Sequence, residues 1–178
     1  MDQRELKEFL DEKVMLYNNP SFIESDPIQI PHLFSKKEDI EISGFLTAII
    51  SWGNRKMIIR NALKMMELLD NAPYDFIINH QKSDLKPFKN FVHRTFNSED
   101  LYQFIKSLEH LYKKHQGLEK TLAIIGEKTT YIEAIHNLKK IFFEIPHLQR
   151  TKKHISDPLK NSAAKRINMF LRWMVRND

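Results

Sequence analysis

Residues 160–178, "KNSAAKRINMFLRWMVRND", gather the side chains of this chain best suited to hold an anion. Read as a helix starting near Ser162, they place Lys165, Arg172 and Arg176 on one side, at spacings of seven and four. Arg166 and Trp173, seven apart, flank that line. Cations beside an aromatic ring suit a phosphate backbone, since the charges neutralise phosphate oxygens and the ring offers a stacking face. The turn "DPLKNSAAK" presents backbone N–H groups at a helix N-terminus between Lys160 and Lys165, a natural place for an anion. The opposite side carries Ala163, Ile167, Phe170, Leu171 and Met174. A charged stripe facing an apolar one is also the pattern of an ordinary solvated surface helix.

Other constellations are weaker. Glu133 and His136 stand at i, i+3, a spacing that carboxylate di-iron bundles use twice, but here it occurs once and reads as a satisfied surface pair. The 8 His residues are scattered, without the "HExxH" spacing of a zinc helix, so no metal site is expected. His147 and His154 flank the basic "QRTKK", which reads as a polar surface loop or as added charge near an anion at low pH. Trp52, before Gly53, is either a probe residue in an exposed loop or a core residue closing a helix junction. "NFVHRTFNSED" mixes aromatics with His93 and Arg94 and reads as a loop between helices. There is no P-loop, dinucleotide-binding glycine pattern or nucleophile elbow.

The elements that must position these residues are helical. Leu6, Phe9, Leu10, Val14 and Tyr17 form a first amphipathic stripe, ended by "NNPS". Pro27 and Pro31 make "ESDPIQIPH" a connector. Ser35 and Glu38 have capping-box spacing before Ile42, Phe45, Leu46, Ile49 and Ile50, a clean i, i+3, i+4, i+7, i+8 face. Gly53 breaks the chain, and a helix resumes from Arg55. Pro73 suits a helix start, Ser98 a cap, Gly117 an end, and Thr130 with Glu133 a second capping box. Pro146 stops the helix before it. Period-2 alternation is absent, which predicts an all-α, multi-helix orthogonal bundle of about seven or eight helices in one domain over 1–178. Residues 1–34 form its N-terminal helix and connector.

Composition narrows the chemistry. The chain has 178 residues, 42% of them hydrophobic, enough for a real core. It has no Cys, which rules out disulfides, thiolate catalysis and Cys-ligated zinc or iron–sulfur centres. A net charge of +5 permits an anionic partner such as DNA without requiring one. No apolar run reaches the roughly 20 residues of a membrane span, and "MDQRELKEFLDEKV" has no signal core. A cytoplasmic protein with no cofactor and no membrane contact is expected.

Two blocks, "DIEISGFLTAIISWGNRKMIIRNALKMMELLDNAPYDFI" and "SAAKRINMFLRWMVR", closely resemble an uncharacterised bacterial family described only as a domain of unknown function. More distantly, the order of elements resembles the helix-hairpin-helix DNA glycosylases, including the 8-oxoguanine type. That resemblance implies base-excision chemistry. The loop Ser51, Trp52, Gly53, Asn54 and Arg55 would fill the gap left by an extruded base. Lys165, opening the helix after the hairpin, would be the Schiff-base nucleophile. Arg166 and Arg172 would help lower its pKa, and Lys160, Asn161, Ser162 and Arg176 would join them in DNA contacts. The sequence departs from the pattern at "KNSAAK", which has no Gly where active enzymes bring amides close to a phosphate. The pattern also places an Asp in a "DVH"-like segment beyond the lysine helix, and the chain stops before one. The resemblance therefore implies a shortened domain in which Lys165 has no catalytic partner. The alternatives are a non-catalytic DNA-binding scaffold and a protein-interaction module that uses the surface left bare.

Overall fold

Residues 41–50 are buried without a break. A helix sunk on every side belongs at the centre of a fold, and in the computed structural model, which describes residues 2–123 and 130–175, most of the other helices pack around it. In chain order these are α1 (Gln3–Tyr17), α2 (Pro20–Ile23), the central α3 (Lys37–Ile50), α4 (Arg55–Leu68) and α5 (Pro73–Asn79). A hairpin of β1 (Val92–His93) and β2 (Phe96–Asn97) leads into α6 (Ser98–His115), α7 (Gly117–Leu122), α8 (Tyr131–Phe142) and α9 (Lys165–Val175). The all-α expectation holds apart from that two-residue ladder.

Aromatic rings tie the layers together. The Phe45 ring on α3 lies 6.1 Å from Phe104 on α6, 5.7 Å from Phe142 on α8 and 5.6 Å from Phe170 on α9. All four are fully buried, which makes this cluster the centre of the core. α9 runs antiparallel along α3. Its first turn meets the end of α3 through Arg166, and its later turns meet Gly44 through Phe170 and Met174. A Cβ on Gly44 would sit 2.9 Å from Met174 Cε and 3.6 Å from the Phe170 ring, so the missing side chain sets how closely the two helices approach.

Several boundaries differ from the sequence reading. Ser35 and Glu38 form no capping box. Lys36 takes the extended N-cap conformation, which leaves Ser35 one position too early to reach the first free amides. At α6 the cap is Asn97, with Asp100 as its reciprocal partner, rather than Ser98. The Thr130–Glu133 box forms as expected. The final helix begins at Lys165 instead of near Ser162, because Asn161 (φ 58°) and Ala164 (φ 44°) adopt left-handed backbone. Ala163 is exposed as a result, and Ala164 takes the buried place on the apolar side. Pro27 and Pro31 each open a 3₁₀ turn that buries Ile28 and Ile30. The apolar stripe of α1 stays in solvent, with none of that helix's residues buried.

Candidate nucleic-acid interface

Four segments meet around Trp52: the α3–α4 loop, the β1–β2 hairpin, the 3₁₀ turn Gln149–His154 and the start of α9. Ser51 ends α3, its Oγ donating to the Thr47 carbonyl at 2.8 Å. Gly53 follows at φ +106°, a conformation open to glycine and strained for other residues. Asn54 then caps α4 by accepting the Met57 N–H. The loop is a sharp corner fixed at both ends.

Trp52 is half-buried inside that corner. The His93 ring meets it edge-on at 5.0 Å, His154 stacks on it at 6.1 Å, and the Arg166 guanidinium lies 5.0 Å over it. Arg166 also donates to the Ile49 carbonyl at 2.6 Å, an acceptor freed at the end of α3. Trp52 is thus both a structural residue of the junction and the aromatic base of a cationic surface. Above it, Arg94 at the hairpin tip covers Gly53. A Cβ on Gly53 would fall 2.7 Å from Arg94 Nη1.

Beneath Trp52 lies a buried polar group. Asp100, fully buried, accepts from Thr151 Oγ1 at 2.8 Å and pairs with Arg150 at 3.2 Å. His154 Nε2 sits 3.3 Å from its other contact point, Oδ2, without the alignment of a hydrogen bond. Arg150 also donates to Asn97 Oδ1 and to the Thr95 carbonyl, fastening the 149–154 turn to the hairpin. "QRTKK" keeps Gln149 and Lys153 exposed but is anchored from below: Thr151 and the following His154 are buried, and burial pushes the His154 pKa down to about 4 despite the Asp100 carboxylate. Low-pH charging of His154 near an anion is ruled out across the neutral range. His93 is held neutral too. Asn61 Nδ2 donates to its Nδ1 at 2.8 Å, which leaves Nε2–H to face the Trp52 carbonyl at 3.4 Å, and burial lowers its pKa.

The candidate residues divide around this junction. Ser51, Trp52, Gly53, Asn54 and Arg166 are brought together. Lys165 is exposed at the first position of α9 and has no ion-pair partner among the described residues. Ser162 accepts the Ala164 N–H, shaping the turn before it. Arg55 turns elsewhere, its guanidinium 3.8 Å from Asp26 and 5.5 Å over the Phe22 ring. Arg172 lines a separate groove of about 810 Å³ between α9, α7 and the start of α3, together with Lys37, Glu119 and Tyr131. Arg176 lies outside the described residues. Glu133 is spent on its capping box, and His136 pairs with Asp157 at 3.0 Å.

Sequence reasoning missed two sets of cations. Arg94 falls in a stretch that reads as a loop between helices, and only the hairpin places it over Gly53. Lys139 on α8 is half-buried and its pKa is lowered, first by burial and then by the charges of Lys160 and Lys152 against the opposing pull of Asp157. Three lysines from three segments thus share one field. Nothing in their spacing announces it.

Comparison with curated proteins and with solved structures returns no match. Residues 26–178, which take in the central helix, the Trp52 corner and α9, match the model of the family described as Protein of unknown function (DUF2400), and the chain belongs to that family.

Proposed function

We propose that this protein binds DNA through the face around the Trp52 corner and the start of α9, on a scaffold of the helix-hairpin-helix glycosylase kind. The observation that carries the reading is the turn before α9. Asn161 and Ala164 hold left-handed backbone there, a conformation that glycine ordinarily supplies, in the segment that the resemblance aligns with the Gly-rich glycosylase hairpin. The N–H groups of this turn open α9 between Lys160 and Lys165, beside the corner where Arg94 covers Gly53. An extruded nucleotide would be met by the 51–54 loop and its backbone by the cations of the hairpin tip and the 158–165 segment.

In the catalytic form of this proposal the Lys165 amine attacks the sugar carbon that bears the base. The bond to the base breaks as the bond from the lysine nitrogen forms, the base leaves with a proton that the amine gives up, and opening of the sugar ring at its oxygen yields the Schiff base. Borohydride reduction of a reaction with duplex DNA containing an abasic site or 8-oxoguanine would trap that imine. The expected result is one covalent adduct that disappears in Lys165→Ala and persists in Lys139→Ala, the latter chosen because burial lowers the Lys139 pKa. Failure to trap any adduct, or an adduct that survives Lys165→Ala, removes Lys165 from the chemistry. A second reading, a non-catalytic DNA-binding scaffold, is favoured by the exposure of Lys165 and its lack of an ion-pair partner among the described residues. Salt-dependent DNA retention without base release distinguishes it.

A further inference from the structure

Away from the Trp52 corner, the end of α6 and the end of α8 are joined by three side chains with metal-ligating chemistry. His110 Nε2 lies 3.0 Å and His115 Nε2 3.2 Å from the same oxygen, Glu144 Oε2. The two imidazole rings are 5.1 Å apart, and one donor atom from each of the three residues falls within 4.8 Å of the others. His110 and His115 are five residues apart, which is not a ligand spacing on a regular helix. The arrangement works because His115 is the last residue of α6 and Glu144 follows α8 by two positions.

We propose that His110, His115 and Glu144 bind a divalent transition ion of the Zn²⁺ class, with water completing its shell. Three arguments point to that ion. Two imidazoles and one carboxylate make a borderline donor set that suits Zn²⁺, Co²⁺ or Ni²⁺ and is poor for Ca²⁺ or Mg²⁺, which take oxygen ligands. Bonds of about 2.0–2.1 Å in a tetrahedron put neighbouring ligand atoms roughly 3.3 Å apart. The 3.0 and 3.2 Å contacts are within tenths of an ångström of that edge. The site also sits at the C-terminal end of α6, where the helix dipole favours a cation. Of the lysines in that last turn, Lys113 is paired with Glu109 at 2.7 Å. Such an ion would clamp the end of α6 to the end of α8, a structural role independent of the DNA-binding proposal.

The test uses the full chain, stripped with a chelator and titrated with Zn²⁺ by calorimetry, with Co²⁺ absorption as a second probe. The expected result is one equivalent bound and a rise in Tm of about 5 °C or more at a hundredfold excess over Kd. His115→Ala and Glu144→Gln should each weaken binding by more than an order of magnitude. These residues are partly exposed, so the variants should keep the fold, and circular dichroism checks that they do. His32→Ala, a change at an exposed histidine elsewhere, should leave the titration unchanged. Absence of stoichiometric binding to the wild type, or binding that His115→Ala and Glu144→Gln leave intact, would overturn the proposal.

Discussion

At the residue scale, His154 shows how burial decides what a side chain can do. It is 3% exposed, and burial outweighs Asp100, moving its pKa from 6.5 to about 4. The unfolded chain therefore takes up a proton near pH 6.5 and the folded chain only near 4. Between those values the unfolded state binds more protons, so stability is intact above pH 6.5 and declines as pH falls toward 4. At about 1.4 kcal/mol per pKa unit, the loss from this group reaches about 3 kcal/mol. His93, lowered by burial as well, acts in the same direction. Urea unfolding at pH 7.5 and pH 4.5 should show this decline, and His154→Gln should flatten it. A variant that declines as steeply as the wild type would show that His154 does not carry the effect. The sequence offered no route to this group, because Asp100 finds Thr151 and His154 more than fifty positions along the chain.

At the element scale, the pairing of α3 with α9 is what carries Lys165 and Arg166 to the Trp52 corner. Gly44 permits it. Gly44→Ala places a Cβ against the flexible end of Met174, which can move aside, and gains helix propensity. Gly44→Val adds branched bulk against Phe170 as well, and overpacking of that kind costs about 1–3 kcal/mol. Thermal melts should rank Ala near wild type and Val well below it. Equal stability of the two would mean that α9 does not rest on Gly44. Most helices here were legible from their apolar period: Ile42, Phe45, Leu46, Ile49 and Ile50 face the core as that spacing requires. Their ends were less so. Asn97 and Ser98 are both good caps, and only the backbone chooses between them. Asn161 and Ala164 gave no sign of left-handed turns, since glycine is the usual marker and neither is glycine.

At the scale of the whole molecule, a net charge of +5 says little until the cations are located. Lys165 and Lys160 were visible in sequence. Arg94 reaches the Trp52 corner through the hairpin and Lys152 shares the field of Lys160 through the 149–154 turn, while Arg55 and Arg172 turn to Asp26 and the separate groove. The central claim is that DNA binds where Arg94, Lys152, Lys160 and Lys165 project. It is tested most directly by measuring the affinity for a short duplex across a range of salt concentrations. Four phosphate contacts predict a log–log slope of about −3.6, and the double variant Arg94→Gln/Lys160→Gln should reduce it to about −1.8 while keeping the wild-type melting profile. No measurable binding at low salt, or a slope that the double variant leaves unchanged, would contradict the account.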